Sequence, residues 1–266
     1  MMGNWLLEFF FAVSKGGIAR RMRVVQLNQI AISEVLTGLG TLLKGLGVEL
    51  REEVNFRQLE AELLLTEKRQ LTEHFRRTLN TYTAETAHWL GGYDAAGKLV
   101  SVCAARIDRL GEDNLVDHWR EYWTRCYDGT DGSMRAELAE EQHAFGKEVV
   151  GDVVYLGDMW VAEEHRGKGV AELHARAALI NALLRWRPKW FYAWTFRELA
   201  ESGFPQRCGF NRVHPGIIWS VPPKTIAPDL CAMFARDSDI RDLVQQLRSE
   251  PLSQWNSKKS SVSQSA

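Results

Sequence analysis

Leu36, Leu39, Leu42, Leu43 and Leu46 recur at spacings of three and four, which predicts one face of a helix. Gly38, Gly40, Gly45 and Gly47 weaken that stretch. A second and longer helix is predicted over 56–79. Leu59, Leu63, Leu64, Leu71, Phe75 and Leu79 form its stripe, and Glu60, Glu62, Lys68, Arg69, Arg76 and Arg77 fill its other face. Both stripes read as core packing, so 24–86 is expected to be helical. Then the period changes. Residues 87–93 and 99–107 are apolar, extended runs, and 94–98 between them reads as a hairpin loop. The polar stretch 111–148 carries a short helix around Leu115, Trp119, Tyr122 and Trp123, and a second over 135–145. Residues 152–161 read as a strand by their β-branched and aromatic content. A helix over 167–187 follows, with Leu173, Ala177, Ile180, Leu183 and Leu184 on one face and Pro188 as its stop. A strand over 190–196, a short helix over 198–204 and a last strand over 210–221 complete the pattern.

This order predicts an α/β (α+β) fold: a mixed sheet flanked by helices behind a helical N-terminal section. Four parts are expected: a helical section over 1–85, a sheet-bearing domain over 86–222, a helical extension over 223–248 and a disordered tail over 249–266. The tail is rich in Ser, Gln and Lys. Residues 5–13 are apolar except for Glu8, too few to span a bilayer, which takes about 20. They read as a packing helix or a weak surface contact beside Arg20, Arg21 and Arg23, and Met22 is a second candidate initiator.

Composition narrows the function. Hydrophobic residues make up 45% of the chain, too many for disorder. The net charge of 33 − 34 = −1 does not suit an electrostatic nucleic-acid binder, and no nucleic-acid partner is expected. Cys103, Cys126, Cys208 and Cys231 are scattered without a CxxC pair, which fits a reducing, cytoplasmic compartment. The seven histidines show no metal-ligand spacing, so no metal is expected.

The chemistry concentrates at 153–180, where a strand runs through a charged loop into a helix opened by Gly167 and Gly169. The first turn of a helix offers unpaired N–H groups and the positive end of the macrodipole. Glycines let that backbone approach a ligand closely, and Arg166 and Lys168 add positive charge. A phosphate or pyrophosphate is the natural ligand. A Walker A loop is excluded because Gly169, not Ser or Thr, follows Lys168. A dinucleotide fingerprint is excluded because Glu172 stands where its third glycine belongs.

The run Arg166-Gly167-Lys168-Gly169-Val170-Ala171 resembles the acyl-CoA signature of the GNAT superfamily of N-acetyltransferases, Gln/Arg-x-x-Gly-x-Gly/Ala. Met159-Trp160-Val161 is similar to the end of that family's fourth strand, and Cys208-Gly209-Phe210 to its downstream Gly-Phe. The resemblance covers roughly 85–221. It implies a mostly antiparallel central sheet and transfer of an acyl group, acetyl by default, from acyl-CoA to a primary amine. It implies that the backbone of Arg166, Gly167, Lys168, Gly169, Val170 and Ala171 holds the pyrophosphate. Met159, Trp160 and Val161 would pair with the pantetheine arm as an added strand, with a strand N–H polarising the thioester carbonyl.

Asp158, set between Leu156 and Trp160, is a candidate base or a strand-end charge bonded to a loop. Tyr155 stands about where family members carry a strand base, and it reads as a water-positioning or a packing residue. The family's frequent Tyr, which protonates the leaving thiolate, is replaced here by Pro205, and Glu198 lies near the place of its frequent Asn. Arg207 is read as a phosphate contact or a solvated surface charge. Trp119, Tyr122 and Trp123 beside Glu137, Glu140, Glu141 and Glu148 would suit a cationic amine, or would simply pack inward. The acceptor is not specified, and a homodimer is possible. Two rival readings stay open: a non-catalytic acyl-CoA-binding or interaction module, and a modifier of a protein or charged-tRNA amine.

Overall fold

The computed structural model describes residues 29–132, 135–227 and 229–255. The apolar run at 5–13 and residues 256–266 of the tail lie outside them. The chain opens with helix α1 (Gln29–Gly45), strand β1 (Glu49–Glu53) and helix α2 (Phe56–Leu63). A long irregular stretch leads to the hairpin of β2 (Ala87–Tyr93) and β3 (Leu99–Asn114). Then come α3 (Leu115–Cys126), β4 (Glu137–Leu138), α4 (Ala144–Glu148) and β5 (Val150–Val161). Helix α5 (Val170–Trp186) and β6 (Trp190–Thr195) follow, then α6 (Arg197–Glu201) and α7 (Phe204–Cys208). The chain finishes with β7 (Arg212–Pro215), β8 (Trp219–Val221), β9 (Cys231–Arg236) and α8 (Asp237–Ser249).

Seven strands form one sheet in the order β1-β2-β3-β5-β6-β9-β7. All neighbours are antiparallel except β5 and β6, which run parallel and are joined by α5. The mixed, mostly antiparallel sheet flanked by helices that the sequence predicts is present. β4 and β8 make a small separate pair. Each face of the sheet carries its own core. One packs against α1, α5 and α8 through Leu39, Leu43, Leu179, Ile180 and Val244. The other packs against α2, α3 and the stretch 64–86 through Leu59, Phe75, Trp89, Trp119 and Trp123. No helix among the described residues is long and apolar enough to cross a membrane.

Several expectations change. The helix predicted over 56–79 ends at Leu63, and 64–86 is a chain of turns. Its apolar residues still reach the core, Leu71 and Phe75 among them, while Leu64 and Leu65 are exposed. Its backbone is captured by distant side chains: the His74 carbonyl accepts from Arg106 and the Leu79 carbonyl from Arg125. The helix expected over 135–145 is replaced by β4 and α4. The strand expected over 210–221 is broken after Pro215, so that β7 joins the large sheet and β8 joins β4. The divisions expected at 85/86 and 222/223 do not follow the sheet, whose strand β1 precedes the first and β9 follows the second. The start of the supposed tail is also built in. Trp255 is buried, and its ring lies on α1, where an added Cβ at Gly38 would come within 2.7 Å of it. A glycine in mid-helix, unfavourable alone, is here the notch that admits an indole.

Three histidines are buried. His174 donates from Nε2 to the Leu90 carbonyl at 3.1 Å and accepts the Ser101 hydroxyl on Nδ1 at 3.0 Å. Burial pushes its pKa down to about 4. Burial, helped by Arg185, holds His88 down to about 3. Burial and the charges of Arg106 and His118 hold His74 well below the ordinary histidine value. In each case the unfolded chain takes its proton first. Stability is therefore fully present above the ordinary value of about 6.5 and is lost as pH falls below it. Urea unfolding should show lower stability at pH 5 than at pH 7, by up to about 2 kcal/mol for each of these histidines. Equal midpoints at the two pH values would mean that the three rings are hydrated in the folded state.

Candidate active site

The parallel pair β5–β6 is short. It runs from Val153 opposite Trp190 to Leu156 opposite Ala193 and stops there. β6 stays with β9 to its end at Thr195. β5 stays with β3 as far as Val161 opposite Ser101. The sheet therefore forks, and residues 157–161 present a backbone edge toward β6 with no strand on it. The cause lies in β5. Ala104 faces Gly157 and Val102 faces Trp160, so Asp158 and Met159 together oppose Cys103. That is a β-bulge, which bends a strand and sharpens its twist. Asp158 takes φ = +53° within it, a conformation Asp tolerates better than most residues.

From the end of β5 the chain makes a single 3₁₀ turn, Glu163–His165, and enters the glycine cradle. Gly167 and Gly169 have φ of +71° and +83°, which side-chain-bearing residues rarely adopt. Gly169 caps α5, and the first bond of the helix runs from the Leu173 N–H to its carbonyl. The amides before it have no partner within the helix. Around Gly167 an added Cβ meets nothing within 4 Å. The turn is thus open. Arg166 folds back, its Nε on the Val161 carbonyl at 2.9 Å and NH2 toward Glu67 at 3.3 Å. Lys168 donates to the Glu164 carbonyl, and Arg207 pairs with Glu172 on the first turn of α5. The cradle's chemistry is therefore backbone amide and helix dipole, framed by ion pairs.

A cavity of about 470 Å³ lies in the fork. Tyr155, Leu156, Gly157, Asp158 and Met159 line it from β5, and Ala193, Trp194 and Thr195 from β6. Lys68, Thr72 and His74 close it from the irregular stretch. Asp158 ties that stretch down. Its side chain is fully buried, and Oδ1 accepts Lys68 Nζ at 2.8 Å and the Thr72 N–H at 3.0 Å, while Oδ2 accepts the Thr72 hydroxyl at 2.9 Å. Of its two expected roles, the charge bonded to a loop is the one the geometry displays. Arg106, buried on β3, makes a second tie. Its Nε meets Asp108 at 2.9 Å, and NH1 donates to the Tyr122 hydroxyl at 2.7 Å and the His74 carbonyl at 3.0 Å. Tyr155 stacks on Phe75 with ring centroids 5.6 Å apart, and burial holds its phenol protonated.

The structure brings Tyr155, Asp158 and Met159 to one cavity, and sets Trp160, Val161 and the cradle at the far end of the same strand. It does not bring the acids of 111–148 there: Glu137, Glu140, Glu141 and Glu148 are exposed and none lines the cavity, whereas Trp119 and Trp123 pack inward. Glu198 is exposed, and Pro205 is a buried residue of the first turn of α7. Lys68, Thr72 and His74 are lining residues that the sequence pattern concealed, because their stretch scans as a helix. Among the described residues no group of three or more His, Cys, Asp or Glu is placed to hold a metal ion.

No family model and no curated protein matches the chain. Solved structures do. NAA60 of Arabidopsis thaliana, in complex with a bisubstrate analogue, is 14% identical over 71% of this chain and 97% of its own, with a TM-score of 0.42. A mutant of the spermidine N-acetyltransferase SpeG from Vibrio cholerae is 14% identical over 77% of this chain and 99% of its own, at 0.43. FeeM, an N-acyl amino acid synthase from uncultured soil microbes, is 11% identical over 77% of this chain and 98% of its own, at 0.45.

The buried pair has a measurable weight. Asp158→Asn keeps a residue that tolerates positive φ but leaves Lys68 without its counter-charge. It should cost about 3 kcal/mol or more in denaturant unfolding, and Lys68→Met on top of it should recover most of that loss. A single variant as stable as the parent would show that the 64–86 stretch is held by other contacts.

Proposed function

We propose that this chain is an acyl-CoA-dependent N-acyltransferase of the GNAT type, moving an acetyl or longer acyl group directly to a primary amine. One observation carries the reading. The bare strand edge at 157–161 leads within five residues into the open amide cradle at 166–171, so a single extended ligand with an anionic end and a peptide-like arm satisfies both. Coenzyme A has that form. Its pyrophosphate would meet the amides of Gly167, Lys168, Gly169, Val170 and Ala171, where the dipole of α5 favours negative charge, while the Arg166 N–H is already held by the Glu163 carbonyl. Its pantetheine amides would bond the edge at Met159, Trp160 and Val161 as an added strand, the Val161 carbonyl being already taken by Arg166 Nε. An N–H in the bulge at 158–159 would donate a hydrogen bond to the negative charge developing on the thioester oxygen.

Direct transfer then needs an amine held against the thioester in the fork, and the cavity opens there. Asp158 serves this reading as a positioning residue: it fixes the wall formed by Lys68, Thr72 and His74. Tyr155, with its phenol kept neutral, serves as wall and hydrogen-bonding group rather than as a base. Pro205 provides no acid for the thiolate, whose departure is the easier for being a sulfur leaving group.

Ligand binding should raise the melting temperature by mass action. Coenzyme A and acetyl-CoA are expected to do so, and Gly167→Asp is expected to abolish the shift. Asp tolerates positive φ, its side chain has room, and its charge opposes a phosphate in the cradle. The variant's own unfolding should remain cooperative. A variant that binds coenzyme A as tightly as the parent would remove the cradle from the argument. Binding without acyl transfer to any amine would leave the non-catalytic module as the answer.

A further inference from the structure

The cavity in the fork has two chemically different ends. On the α5 face of the sheet its walls are Cys103, Ala175, Cys208 and Phe210, small or apolar side chains of that face's core. On the opposite face its walls are aromatic: Trp123, Tyr127, Tyr155 and Trp194, with His74 among them. The His74 ring lies 4.2 Å from that of Trp123, 4.9 Å from Tyr155 and 5.6 Å from Tyr127, centroid to centroid. It is 2% exposed, and neither ring nitrogen has a hydrogen-bond partner among the described residues. A buried imidazole with both nitrogens unused is costly unless something else bonds to it.

The charges of this end also select. Asp158 is the one carboxylate among the described lining residues, and Lys68 and Thr72 occupy it. The Arg106 guanidinium stands over the Tyr155 ring at 4.8 Å and that of Tyr122 at 4.0 Å, and bonds the His74 carbonyl. An ammonium or polyamine would meet no free counter-charge here, since Asp158 is taken by Lys68 and Asp108 by Arg106. A flat, uncharged molecule would meet aromatic faces and an imidazole able to accept an N–H.

We propose that this aromatic end binds the acceptor, that the acceptor is an apolar amine of low basicity such as an aromatic amine, and that His74 takes its proton. The proposal rests on the acyl-CoA reading above. The amine lone pair attacks the thioester carbon, the C–N bond forms, and the C–S bond breaks with its electron pair left on sulfur. The N–H proton passes to His74. The imidazolium, disfavoured by burial and by Arg106, gives that proton up to the thiolate, so the amide and the free thiol leave and His74 is neutral again. This route supplies the thiolate with a proton although Pro205 stands where the family carries its acid.

The test uses the full chain with acetyl-CoA and two acceptor sets, aniline with its para-alkyl derivatives and a polyamine such as spermidine, read by thiol release. The anilines should be the better substrates by kcat/KM. His74→Gln and His74→Phe, the second keeping the aromatic packing, should each lower kcat on the order of 100-fold or more. They should leave the acetyl-CoA thermal shift intact and flatten the acid limb of the pH profile. That limb reports His74 as faced by Arg106 from β3, His118 and Tyr122 from α3, Tyr127 after it, Tyr155 from β5 and the Tyr82 hydroxyl on its carbonyl. Preferred turnover of spermidine, an unchanged kcat in both variants, or coenzyme A binding with no turnover of either set overturns the proposal and leaves the acyl-CoA reading standing. No thermal shift with coenzyme A in the parent overturns both.

Discussion

The layout of this molecule turns on the place where two parallel strands cease to bond. Backbone N–H and C=O groups are obligatory hydrogen-bonding groups, and a strand edge inside a fold must find partners. β5 and β6 satisfy each other over four residues. The bulge at Asp158 and Met159 then swings β5 away while β6 remains zipped to β9. Neither strand can close the gap alone, because each is fixed on its other side. The fold thereby holds a slot lined by a main-chain edge and by side chains from both faces of the sheet.

The walls depend on buried charge. The stretch 64–86 contains no regular element that would hold it in place, so Asp158 and Arg106 pin it from the sheet, 86 and 32 residues away from their partners Thr72 and His74. Buried pairs of this kind add little net stability over an apolar packing and are costly to break singly. Their value here is positional: Lys68, Thr72 and His74 are set at the cavity although their local sequence would prefer a helix.

Local features were legible in the sequence and distant ones were not. The hairpin at 94–98, the strand at 152–161 and the helix after Gly169 each rest on short-range patterns: turn residues, alternation, a 3.6 period. The left-handed turn that opens α5 was visible for the same reason, since glycines at a strand-to-helix junction mark it. The stretch 64–86 misled because its apolar residues have helical spacing, while its backbone bonds go to side chains that the spacing cannot reveal. β1 was hidden by its composition: Glu-Leu-Arg-Glu-Glu has the charge that suits an exposed sheet edge rather than the apolar alternation that announces a strand. β9 did carry a signal, the apolar run from Cys231 to Ala235, which sat beyond the expected end of the sheet. The position of His74 had no sequence signal at all, because the rings gathered round it come from distant parts of the chain.

Trp255, seated against Gly38, ties the last described turn to the first described helix. During synthesis the groove on α1 stays open to water until residue 255 has left the ribosome. The slot between β5 and β6 is flanked by β9, also a late arrival. The segment that carries Trp255 thus closes onto a helix made more than two hundred residues earlier, and a chain interrupted before it would expose the apolar flank of α1 to whatever is near.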